Sequence, residues 1–202
     1  MPLGIEFHPE QDEDWITETI HQIKNHYRPL HSLKPHWIID KAIEKDCIHK
    51  KWRYRGLLEI DIHVAPTYTT KDGLHRLLWH ELTHVYDELN PRFQFNYEYF
   101  KQHYEPGAPY HRYFNYVHAI WDVWIDGRLQ RENHPVTNVN LTQIKFEECF
   151  PLTKESGEWF SRLYNAKADR TFKELEDIAK KLRKISRGYT KPGETSEPHS
   201  DQ

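Results

Sequence analysis

Residues 77–90 read LLWHELTHVYDELN, and within them His80-Glu81-Leu82-Thr83-His84 sets two histidines four apart with a glutamate directly after the first. The chain holds 15 His among 202 residues, so shuffling it would produce this spacing about 0.1 times. Five letters therefore need support from their surroundings. Thr70 or Asp72 is placed to cap a helix that runs to about Leu89, where Asn90-Pro91 stops it. At about 100° per residue, Leu74, Leu78, Leu82, Val85 and Leu89 gather on one side of that helix, while His80 and His84 fall about 140° away with Gly73 and Asp87. One face suits a core and the other suits chemistry.

Imidazoles at i and i+4 stand one turn apart on the same face, close enough to share a Zn²⁺ ion at about 2.0–2.1 Å. Glu81 points to the side, where it is able to take a proton from water without being a ligand. The competing reading is a solvated face of His and Glu. A catalytic zinc needs a third protein ligand, and HELTHVYDELN lacks the Gly and third His of the extended metzincin pattern.

A second helix, expected over 113–132, supplies candidates. In NYVHAIWDVWIDGRL, His118, Asp122 and Asp126 follow one another at i+4, with Tyr116, Ile120, Val123 and Trp124 opposite. Trp121, Ile125 and Leu129 frame the carboxylates, and buried acids need a cation or hydrogen-bond donors. Asp122, His118 and Asp126 are each open as the third ligand. Otherwise the acidic row simply pairs with Arg112, Arg128 or Arg131. Asp87, three residues after His84, is open as a hydrogen-bond acceptor behind the ligands, but near its helix end it is expected to be solvated.

With these two motifs the chain resembles the gluzincin class of HExxH metallopeptidases, in which a second helix carries Glu-x-x-x-Asp, and small cytoplasmic minigluzincin-like or SprT-like zincins. The resemblance covers roughly residues 57–130. It implies that His80, His84 and Asp122 ligate Zn²⁺, that Asp126 orients a zinc-bound histidine, and that Glu81 is the general base of peptide hydrolysis. The departure is Asp122 in place of the family's Glu, so a shorter side chain must be met by a closer helix. The implied fold is α+β and mainly helical, with a small antiparallel sheet. Its strand before the histidine helix, here residues 58–65, would take substrate as an added strand. Tyr113 is favoured over Tyr110, His111 and His103 as the donor to a transition-state oxyanion.

Composition restricts the alternatives. A hydrophobic share of 37% with 14% aromatics supports a sizeable core in one domain, assigned to residues 1–186, followed by a polar tail, 187–202, expected to be disordered. A formal charge of −3 gives no general attraction to nucleic acid or membrane, so the expected partner is a peptide or protein substrate. Cys47 and Cys149 are too few for a disulfide framework. MPLGIEFHPEQDEDW lacks the basic and apolar regions of a leader, so the expectation is a soluble cytoplasmic protein. Two other functions compete: a non-catalytic protein whose metal is structural or absent and whose aromatic cleft binds peptide, and a SprT-like protease acting on DNA-bound proteins.

Helices are also expected over 12–27, 154–166 and 169–186, and 132–143 reads as a loop. KWRYRGLLEIDIHVAP alternates Leu58, Ile60, Ile62 and Val64 with polar residues as a half-buried strand does. Lys180, Lys181, Arg183 and Lys184 read as a solvated face.

Overall fold

The computed structural model describes residues 7–53, 59–104, 107–151 and 153–187. Leu58 and the tail 188–202 lie outside the described residues.

The histidine helix is α2, Lys71–Leu89, and the Thr70 side chain caps it by accepting from Gly73 N. Its Leu74, Leu78, Leu82 and Val85 are buried. They meet Ile60, Ile62 and Val64, the buried half of strand β3, Glu59–Val64, in one core. Burying alternate residues of a strand and every third or fourth of a helix lets a sheet and a helix share that core.

The sheet corrects the expectation of an antiparallel one. Strand β1, Lys34–Ile39, pairs parallel to β3, whereas β2, Ile48–Arg53, pairs antiparallel to it, in the order β1-β3-β2. The chain reverses after β1 and again after β2, so β3 regains the direction of β1, and because it inserts between the two earlier strands it pairs parallel to the first. The consequence for recognition is direct. Both edges of β3 are occupied, so it cannot accept a substrate strand, and the open edges among the described residues belong to β1 and β2.

Helix α1, Glu13–His26, packs on α2 through its buried Ile16, Ile20 and Ile23. Beyond α2 the chain forms α3, Tyr97–Tyr104, then the long α4, His111–Arg131, α5, Val139–Cys149, α6, Lys154–Tyr164, and α7, Phe172–Arg187. Helix α4 is the hub, packed by α2, α3, α5, α6 and α7. Its Val117, Ile120, Trp121, Val123, Trp124, Ile125 and Leu129 are all buried, as expected of a helix surrounded by protein. At Gly127 a Cβ would overlap the backbone carbonyl of Tyr164, so only glycine lets α4 and the end of α6 come this close.

The chain is therefore mainly helical with one small sheet. Helix α5 lies partly where a loop was expected, because it buries only Thr142 and Phe146 and leaves Leu141 and Ile144 exposed, which erases the periodicity. Among the described residues no helix is long and apolar enough to cross a membrane. On the exposed side of α7, Lys180 lies 3.8 Å from Asp177 and Lys181 3.8 Å from Glu155, while Arg183 sits over the Tyr113 and Tyr116 rings.

Candidate metal centre

Helices α2 and α4 bring His80, His84 and Asp122 to one point. Asp122 Oδ1 lies 3.3 Å from His80 Nε2 and 3.0 Å from His84 Nε2, and the two Nε2 atoms are 3.2 Å apart. Ligands bound tetrahedrally at about 2.0 Å stand roughly 3.3 Å from one another, so this triangle fits one face of a zinc tetrahedron and leaves the fourth position open.

The protons argue the same way. Asp126 Oδ1 lies 2.8 Å from His80 Nδ1, and a carboxylate can only accept, so Nδ1 carries the proton. Neutral His80 then presents an Nε2 lone pair to the oxygen of Asp122 and the nitrogen of His84. His84 Nε2 can ease the crowding of lone pairs by donating its own proton, whereas one cation at the centre, a proton or a metal, serves all three atoms at once. Without metal the proton fills that role: burial disfavours charge on His80, yet Asp122 and Asp126 outweigh it and raise its pKa well above the ordinary value. Burial likewise opposes charge on Asp122, but the charge of His118 and hydrogen bonds from His118, His80 and His84 hold its carboxyl well below the usual range. The donor set, two imidazoles and a carboxylate, suits Zn²⁺.

Supports surround the triad. Thr142 Oγ1 donates to Asp126 Oδ2 at 2.6 Å, so α5 fixes the carboxylate that fixes His80. The Trp121 ring meets the fully buried His84 edge-on at 4.4 Å, and its Nε1 donates to Asp87 Oδ2 at 2.8 Å. Asp87 is itself buried and takes a bidentate pair of bonds from Arg128, at 2.9 and 3.0 Å. This corrects the expectation of a solvated Asp87: the ion pair joins α2 to α4 next to the triad and fixes their register.

The remaining candidates separate. His118 does not converge with the two Nε2 atoms. Its Nδ1 lies 3.1 Å from the other oxygen of Asp122, and its ring stacks on His84 at 5.0 Å. Asp126 faces the far nitrogen of His80. Arg128 goes to Asp87 and Arg131 to the carbonyl of Tyr164, so in neither case does the acidic row of α4 receive the arginine. The side chain of Arg112 lies outside the described residues.

A cleft of about 450 Å³ opens over the triad, lined on the α2 and α4 side by His80, Glu81, His118 and Asp122, and on the α5 side by Thr142 and Lys145. Tyr113 is elsewhere: it is buried, and its hydroxyl donates to the backbone carbonyl of Glu176 at 3.0 Å. Tyr110 is exposed, while His103 and His111 bond to the carbonyls of Tyr99 and Tyr104. None of the four lines the cleft. Cys149 does line it, and burial, with the charges of Glu148 and Asp122, pushes its thiol pKa up, which suits a packing role better than a nucleophile.

Thr142, Lys145 and the Asp87–Arg128 pair were missed in the sequence. Asp87 shares the histidine face of α2, a signal that was available. The α5 residues gave none, because their helix was unseen. The chain matches no family model, no curated protein and no solved structure.

Proposed function

We propose that the protein is a zinc-dependent peptidase of zincin type, with Glu81 as general base. The observation that carries this reading is the triangle of His80, His84 and Asp122 lone pairs opening beside Glu81 into a cleft. Zinc held there would supply a Lewis acid that acidifies water and polarises a carbonyl. Asp126, held by Thr142, keeps the proton on His80 Nδ1 and so leaves Nε2 available as a ligand. Glu81 takes the proton of the attacking water and returns it to the departing amine. His118 and Lys145 line the cleft where Tyr113 does not, and are among the donors available to a developing oxyanion.

Extended substrate would pair with an open edge of the sheet, that of β1 or β2, rather than with β3, whose two sides are both taken. Two cysteines without a disulfide fit a reducing compartment, and the cytoplasm is the proposed setting.

The test is Glu81→Gln, assayed on zinc-loaded protein with an unfolded protein substrate. Hydrolysis should fall by about 10²–10⁴-fold with zinc content unchanged. Hydrolysis at the wild-type rate would overturn the mechanism.

A further inference from the structure

A second group of metal-ligating atoms lies outside the cleft, where α1 ends and α4 turns towards α5. His26 is the last residue of α1, Glu132 is the C-cap of α4, and His134 follows two residues later. His26 Nε2 is 3.1 Å from His134 Nε2 and 3.2 Å from Glu132 Oε2, and the third edge, His134 to Glu132, is 3.9 Å. A proton on His26 Nε2 can point at His134 or at Glu132 but not properly at both, whereas one cation would serve all three.

The backbone builds this arrangement without a ligand's help. His134 N bonds to Leu129 O at 2.9 Å and Asn133 N to Gln130 O at 3.3 Å, the paired bonds of a Schellman turn, with Asn133 left-handed at φ 59°. That turn folds the chain back so that Glu132 and His134 both face His26. The indole of Trp79 then stacks on His134 at 3.9 Å and meets His26 edge-on at 5.7 Å, holding both rings.

We propose that His26, Glu132 and His134 form a second zinc site that clips the end of α1 to the α4–α5 connection. Its side chains are 36%, 35% and 19% exposed, against 13%, 0% and 24% for His80, His84 and Asp122, so it binds more weakly and exchanges faster than the deep triad. It sits at the start of the loop that leads into α5, where the hydroxyl of Thr142 holds Asp126, and so steadies the segment that supports the deep site.

Equilibrium dialysis of metal-free protein against a range of free Zn²⁺ concentrations tests this. Wild type should take up two equivalents in separate steps. His26→Ala and, independently, Glu132→Gln should each lose the weaker step and keep the tighter one, while Asp122→Ala should lose the tighter and keep the weaker. Both residues are at the surface, and Glu132→Gln preserves shape, so folding is not at stake in that variant. A second step of unchanged affinity in both His26→Ala and Glu132→Gln, or no second step in wild type with the first intact, would overturn the proposal and leave the peptidase reading untouched.

Discussion

The protein carries two triads of the same composition, two histidines and a carboxylate, and they differ in nearly everything else. His80, His84 and Asp122 come from the middles of two packed helices, and each is held by a further partner. His26, Glu132 and His134 come from helix ends and are braced by one indole and a turn. Beside the first triad stand Glu81 and a cleft of about 450 Å³, and the second is neither joined by a candidate base nor among the residues lining that cleft. Ligand chemistry alone therefore does not make a catalytic centre. The deep location adds orientation, an adjacent base and a low-dielectric wall, each of which is a separate way to break the contrast.

The largest effect is expected from the base. Glu81→Gln should cost about 10²–10⁴-fold in hydrolysis while both zinc steps survive, as read by elemental analysis beside the assay. Next is the ion pair that fixes the helices. Asp87→Ala leaves Arg128 buried without its carboxylate and should destabilise the fold by about 3–5 kcal/mol in denaturant unfolding. Gly127→Ala forces α4 away from Tyr164 and should cost about 1–3 kcal/mol in the same experiment. Smallest is Asp126→Asn, which should weaken the tighter zinc step by about 10–100-fold in competition with a chelating dye and leave the weaker step where it was.

These contrasts also mark what the sequence carried. The spacing of His80 and His84 against Leu74, Leu78 and Leu82 gave both faces of α2, and the i+4 row of α4 put His118, Asp122 and Asp126 on one face, because both are local periodicities; the preference for Asp122 among the three came from the family resemblance. The parallel pairing of β1 and β3 was not legible, since strand order depends on which strand inserts between which. Tyr113 failed as a candidate because chain proximity to α4 says nothing about which side of the helix a ring takes. His26 and His134 were invisible as a pair, being 108 residues apart and joined by a turn that only Asn133 foreshadows. Side-chain convergence between distant segments is a tertiary property, and only contacts within one helix announce it beforehand.

The most direct test of the central claim is the tightly held zinc content of purified wild type beside Asp122→Ala, after loosely bound metal has been stripped by a chelating resin. About one zinc per chain in wild type, with a large loss in the variant, is the expected result for a triad completed by Asp122. Full retention in Asp122→Ala, or none in wild type after reloading, would contradict it.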